Sequence, residues 1–364
     1  MLKKRILGAL AALAIGTMAL TGCGDVGSAP EKSADKTPAA ASQVDKSIPT
    51  SAIKVEGGHV EMSLFAGSLP QNTPTGEALG LMAEYINKNA NGTIKAEVFY
   101  DTALGDATSM VQGLQQGTID IGVCGTAYYS GLVPDVEVYQ LPFLFEGLDA
   151  ARAATARTSP SCQAVFAKMS DKGLVGLSFW ENGFRELTNN KKEIKTPADL
   201  AGMKIRTMEN HTHMASYAAL GTTPGASATT IDAAELYTAL QQGTVQAQDN
   251  PLHEIVARKF YEVQPYVTMT DATYTPLLLS MSKVTFDKLS SSQQQLIMEA
   301  ADWAREKQIA ITNEKQATAL QTLKDHGCKI VENPDKKAFQ DKAMASWELY
   351  TKPNGTAILD LIRK

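Results

Sequence analysis

The chain has 364 residues, 44% of them hydrophobic, and a formal net charge of −5. A folded body of roughly 300 residues buries a sizeable core and is expected to divide into two lobes, because single cores rarely grow that large. The mildly acidic balance argues against a nucleic-acid partner, which calls for a basic face, and past the N-terminus no hydrophobic stretch is long enough to cross a membrane.

The N-terminus reads as a targeting segment. "MLKKR" is basic, and "ILGALAALAIGTMAL" is an apolar run of signal-peptide length. In "LTGCG", Leu20, Thr21, Gly22 and Cys23 match the bacterial lipobox. The expectation is a lipoprotein signal peptide at 1–22 and acylation of Cys23, where two or more acyl chains anchor stably and one does not. Residues 23–58, rich in Ser, Ala, Pro, Lys and Asp, read as the lipidated Cys and a flexible tether. The other cysteines, Cys124, Cys162 and Cys328, are odd in number and have no zinc or redox spacing. They are expected to be small buried residues.

Beyond the tether an α/β rhythm begins. "HVEMSLFAG" alternates like a strand, and "TGEALGLMAEYINKN" has apolar residues at helical spacing before an Asn91-Gly92 turn. "TIKAEVFY" is the second strand. Asp106 is placed to cap a helix "ATSMVQGLQQ" that Gly117 stops, and "TIDIGVCG" is a strand buried on both faces. The rhythm restarts with a strand "KGLVGLSFW", a short helix and strand in "TPADLAGMKIR", and a helix "ENHTHMASYAALG". A helix "TTIDAAELYTALQQ", stopped by Gly243, and a strand "TVQAQ" come next. "LQQGT" therefore occurs twice, at 114–118 and 240–244, each time as a helix end, a glycine stop and entry to a strand. From Ser290 to Gly327 one helical pattern runs longer than an ordinary globular helix, as expected of a helix shared by two lobes.

Two arginines sit where α/β ligand sites form. Arg206 ends the strand "MKIR" and Arg185 follows "ENGF" at a strand-to-loop junction. A planar guanidinium holds a carboxylate with two parallel hydrogen bonds. The competing reading is a salt bridge to Asp199 or Glu186. In "ENHTH", Glu209, His211 and His213 are metal-ligand types, but positions two apart on a helix face different sides, so no metal is expected. Glu209 and Asn210 read better as cleft-lining hydrogen-bonding groups, or simply as the start of the next helix. Tyr128, Trp180 and Phe65 stand at or just after strand ends and are site candidates, although aromatic residues of this kind are more often core.

"NGTIKAEVFYDTALGD", "QGTIDIGV", "LPFLFEG", "NGFRELTN", "TPADLAGMKIR" and "AELYTALQQGTVQAQDNPL" occur in this order. On these segments, from about His59 to the C-terminus, the chain resembles the DctP-type substrate-binding receptors of TRAP transporters. The resemblance implies an α/β, two-lobe periplasmic-binding-protein-like fold with a hinge and a long helix spanning both lobes. The lobes are expected at 59–182 plus 276–315 and at 183–275 plus 316–364. It also implies a non-enzymatic receptor without cofactor. Such a receptor faces the periplasm, here tethered by lipid to the cell membrane, closes on a small organic acid and delivers it to an ion-driven permease of small and large membrane subunits.

By the same resemblance Arg206 matches the family's carboxylate clamp, Arg185 a second site residue, and Asn250 an amide that bonds the ligand carboxylate. Two departures stand out. Gln246 replaces an acidic residue, with a structural contact expected to change. Ala233 stands where members place a bulky residue, after a link that is about four residues longer. An ABC-type binding lipoprotein for an amino acid or other small ligand is the alternative, and a secreted hydrolase is disfavoured by the lack of a G-x-S-x-G or H-E-x-x-H motif. Glu209 would repel a second carboxylate and welcome hydroxyls, so a hydroxylated or sugar-type acid is favoured over a succinate-like diacid.

Overall fold

A computed structural model of the chain describes residues 44–363, except Glu209 and residues 221–227. The signal peptide, Cys23, the tether as far as residue 43 and the long link before Ala233 lie largely or wholly outside the described residues. The rest of the expected tether is not loose. Ile48 and Ile53 pack against the core cluster around Met62 and Leu64, and Val55 is buried in it. Ser51 Oγ donates to Glu299 at 2.8 Å and Lys88 Nζ to the Ile48 carbonyl at 2.6 Å. The polar composition of this stretch masked three aliphatic residues, each with a place in or against the core.

The first strand, β1 (Val60–Gly67), alternates as expected: Met62, Leu64 and Ala66 enter one core cluster and Phe65 the other. Helix α1 (Pro74–Asn89) begins where Thr73 accepts from the Gly76 amide at 3.1 Å, with Pro74 in the first turn. β2 (Ile94–Asp101) lies parallel to β1. Helix α2 (Ala107–Gln116) is capped by Asp106, which accepts from the Ser109 amide at 2.7 Å. β3 (Ile121–Gly125) lies parallel to β1 on its other side.

Next come β4 (Leu174–Asn189), β5 (Ile205–Thr207), β6 (Ala228–Thr230), β7 (Ala247–Asn250), β8 (Tyr266–Ser282) and β9 (Lys329–Val331). Together they form one sheet in the order β2-β1-β3-β8-β4-β7-β5-β6, with β9 beside β8. β4 and β8 are 16 and 17 residues long and pair antiparallel from Leu174 opposite Ser282 to Asn189 opposite Tyr266. They run from one pair of core clusters to the other. Two clusters cover the faces of the β1–β3 end; two smaller ones, around Ile205 and around Leu240, cover the β5–β7 end.

The sequence suggests a strand that ends at Trp180, but β4 continues through "ENGFRELTN". It does so by slipping register between Glu181 and Gly183 and again between Arg185 and Leu187. Gly183 takes a φ of 103°, open to glycine and costly for other residues.

The helix expected over 229–242 is shorter. β6 occupies Ala228–Thr230, the Asp232 carboxylate turns the chain by accepting from the Ala234 amide at 2.9 Å, and the helix is Leu236–Gln241. Both "LQQGT" copies do end helices in the same way. Gly117 and Gly243 have φ of 75° and 71°. The Thr118 amide donates to the Gly113 carbonyl at 2.9 Å and the Thr244 amide to the Ala239 carbonyl at 3.0 Å, the same six-residue closure.

The long helix is Ser291–Asp325, 35 residues, opened by a capping box between Ser290 and Gln293. Leu296, Ile297, Ala300 and Ala304 enter the first-lobe core, Ala319 and Leu323 the second, so it spans both. The chain after residue 316 was expected in the second lobe. Phe339 and Ala343 are there, but Tyr350, Ile358 and Leu359 are buried with Phe65 and Cys124 in the first. The last helices cross back because their apolar residues have a first-lobe face to cover.

Candidate functional site

The bulges of β4 and the C-terminal ends of β5 and β7 bring the two arginines inside. Arg206 is 2% exposed, with its Nε donating to the Ile231 carbonyl at 2.8 Å. No ion pair among the described residues includes it. The two acids considered as its partners are engaged elsewhere. Asp199 caps a short helix, accepting from the Lys195 and Thr196 amides at 3.0 and 2.9 Å. Glu186 is buried and accepts from the Asp271 amide at 3.1 Å; burial first, and the Asp271 charge next, push its carboxyl well up. Arg206 is thus a desolvated cation. Burial lowers its guanidinium from the ordinary value, and the Arg185 charge adds to this against the pull of Tyr128, Asp249 and Asp232.

Arg185 differs. Its Nε lies 3.1 Å from Asp249 Oδ1, an ion pair not aligned as a hydrogen bond, and its Nη2 donates to the Asp249 carbonyl. Asp249 Oδ2 also receives His213 Nε2 at 2.8 Å and the Tyr217 hydroxyl at 2.9 Å. Burial alone would raise the Asp249 carboxyl. Arg185, His213 and the Tyr217 hydroxyl outweigh it and hold the carboxyl well below the ordinary range. The Met208 amide donates to His213 Nδ1 at 3.3 Å, so the ring proton on Nε2 is the one given to Asp249.

The other expected residues divide. Asn250 closes β7 and donates to Gln248 Oε1 at 2.6 Å, one strand from Glu186. Asn210 caps the helix His211–Ala219, accepting from the His213 amide at 2.8 Å, and its Nδ2 donates to Gln140 of the first lobe at 3.2 Å. Tyr128 comes from the first lobe, faces Asp232 and acts on Arg206; burial raises its phenol. Phe65 and Trp180, in contrast, are packed in the two first-lobe clusters. Glu209 lies outside the described residues. His211 is exposed beside Glu137 while His213 is buried, so the two imidazoles point apart. Cys124 and Cys162 are buried and Cys328 half-buried, all as free thiols. Gln246 makes a structural contact, accepting from the Lys204 amide at 2.8 Å.

Hydrogen bonds cross between the lobes around this cluster. Besides Asn210 to Gln140, Thr212 Oγ1 donates to Glu137 at 2.9 Å and Arg258 Nη2 to the Ser68 carbonyl at 2.7 Å. Two sizeable cavities among the described residues lie elsewhere. One, of about 590 Å³, sits against Asn182, Phe184 and the long helix; the other, of about 710 Å³, lies between Met214 and Leu349. Neither touches Arg206, Arg185 or Asn250.

Asp249, Tyr217 and Asp232 were not singled out in the sequence, and His213 was weighed only as a metal ligand. Two signals were there: Asp249 adjoins Asn250, and His213 and Tyr217 are four apart on one helix face.

A family model for bacterial extracellular solute-binding proteins, family 7 (DctP), matches residues 65–353. A solute-binding protein of Verminephrobacter eiseniae is 36% identical over 298 residues, 81% of this chain and 87% of that one. The 2,3-diketo-L-gulonate-binding periplasmic protein YiaO of Escherichia coli is 34% identical over 258 residues, 71% of this chain and 77% of its own. Among solved structures, the sugar acid binding protein of Advenella mimigardefordensis in complex with galactonate superposes with a TM-score of 0.79 at 32% identity, covering 85% of this chain and 99% of that one.

Proposed function

We propose, from the premise that this chain belongs to the DctP family of bacterial extracellular solute-binding proteins, that it is the receptor of a TRAP-type transporter and binds a small organic acid between its lobes. The observation that carries this reading is Arg206. A guanidinium buried to 2% exposure, with no ion pair among the described residues, is expensive unless an anion completes it. Arg185, Asn210, Asn250 and Tyr128 supply the surrounding polar groups. We put the hinge where β4 and β8 pass between the lobes, near Gly183 and Thr275, a reading supported by their pairing in register. Closure there presents the acid to an ion-driven permease with small and large membrane subunits. Galactonate and 2,3-diketo-L-gulonate, named for the relatives, are acids of the class that Arg206 suits.

A thermal-shift screen of the purified full-length protein tests this. Carboxylates, sugar acids among them, are expected to raise the unfolding temperature, since a ligand at a hundred times its Kd adds about 2.7 kcal/mol. Stabilisation by neutral sugars or amino acids, with none by any simple carboxylate, would refute the reading.

Lipid attachment at Cys23 belongs to the same proposal. No helix among the described residues is long and apolar enough to cross a membrane, so the lipobox is the anchor on offer. Cys23→Ser is expected to move the protein from the membrane pellet to the soluble fraction or to leave it as uncleaved precursor. A variant that is cleaved and pellets like wild type would remove Cys23 as the anchor.

A further inference from the structure

We propose that Asp249 sets the charge of the ligand: the site takes singly charged organic acids and rejects doubly charged ones. This rests on the receptor reading above and deepens it. Arg185, which the sequence offers as a second carboxylate clamp, already has its anion in Asp249, 3.1 Å away, and both side chains are 2% exposed. The pair is locked from several sides. Arg185 Nη2 also holds the Asp249 carbonyl, and His213 and Tyr217 both donate to Oδ2. His213 is itself fixed, because its other ring nitrogen accepts from the Met208 amide. For Arg185 to turn towards a ligand it would have to leave a buried carboxylate without its cation.

One arginine therefore remains for the ligand. Around it the described residues supply Asp232, which faces Tyr128 and acts on Arg206 from outside ion-pair distance. Among the described residues, the charged groups that act on Arg206 are Arg185, Asp249 and Asp232, so that with Arg206 itself there are two positive and two negative. One ligand carboxylate finds Arg206. A second would be desolvated beside a cation that is already neutralised and two acids of its own sign, where like-charge contact is strongly unfavourable. Hydroxyl or keto groups in its place need only hydrogen-bond partners, which Asn250, Gln248 and Tyr128 have the chemistry to provide.

The experiment compares acids that differ by one carboxylate. Galactonate against galactarate, and succinamate against succinate, are titrated by calorimetry into purified full-length wild type, Asp249→Asn and Asp249→Glu. Wild type is expected to bind the monoacid of a pair at least about tenfold more tightly than its diacid. Asp249→Asn keeps shape and removes the charge, so the preference should fall by about tenfold or reverse; Asp249→Glu should keep it. A purely structural role for Asp249 would weaken both acids in parallel, and that result overturns the proposal. A wild-type diacid affinity equal to or above the monoacid's overturns it as well, and decides the matter even if Asp249→Asn fails to fold. Binding without charge preference refutes this inference alone, whereas the receptor reading falls with it only if no carboxylate of the thermal-shift screen binds either.

Discussion

Replacing Arg206 by alanine is expected to weaken acid binding by roughly 30-fold or more, because truncating one partner of a buried charge pair costs on the order of 2–5 kcal/mol. The bound carboxylate would be left desolvated with no cation to replace Arg206, since Arg185 is held by Asp249. Arg206→Lys should recover only part of the loss. An ammonium cannot offer two parallel hydrogen bonds, and Arg206 Nε is also committed to the Ile231 carbonyl, a contact that lysine cannot make while reaching the ligand. The fold should tolerate both changes, because a buried guanidinium without an ion pair contributes little to stability in the empty protein. Calorimetric titration with an acid found in the screen, with a thermal melt of each variant, reads both effects. Unchanged affinity in both variants removes Arg206 from the site. Lost binding together with a collapsed melt makes it a structural residue.

Trp180→Ala is expected to destabilise the protein by about 3–5 kcal/mol, the usual range for emptying a large aromatic site in a core. Its strand end suggests a place at the cleft, but the indole is 1% exposed and packed with Leu64, Leu277, Ala300 and Ala304, the last two from the long helix. Its Nε1 has no hydrogen-bond partner among the described residues, so Trp180→Phe removes volume without breaking a bond seen there and should be much milder. Denaturant midpoints of the two variants test the packing. Acid affinity in Trp180→Phe tests the position: it should stay near wild type, and a tenfold loss in that folded variant would put Trp180 at the ligand.

Much of the fold was legible from local signals, because local rules act within a few residues. Asp106 caps the helix that it was expected to cap, Ser290 opens the long helix where its pattern begins, and Gly117 and Gly243 take the left-handed backbone that ends theirs. A periodic pattern as long as Ser291–Asp325 could be nothing but a helix, and its two buried ends fall in different lobes. The elements that were misread are those where a contact outweighed a local preference. Residues 229–242 have helical spacing, yet β6 pairs with β5 and the Asp232 turn delays the helix to Leu236. β8 was not anticipated; its run of buried residues makes sense only beside β3 and β4.

For the site, the sequence by itself determined which side chains could hold an acid. Arginine at the end of "MKIR" and after "ENGF" is a matter of residue type, strand end and family pattern, all readable along the chain. What only the tertiary structure decided is which of the two arginines has a charge to spare. Asp249 and Arg185 are 64 residues apart, and His213 and Tyr217 come from a third element. No spacing rule connects them, since Coulomb interaction depends on distance through space and on exclusion of water, and both are set by how β4, β7 and the helix His211–Ala219 pack together.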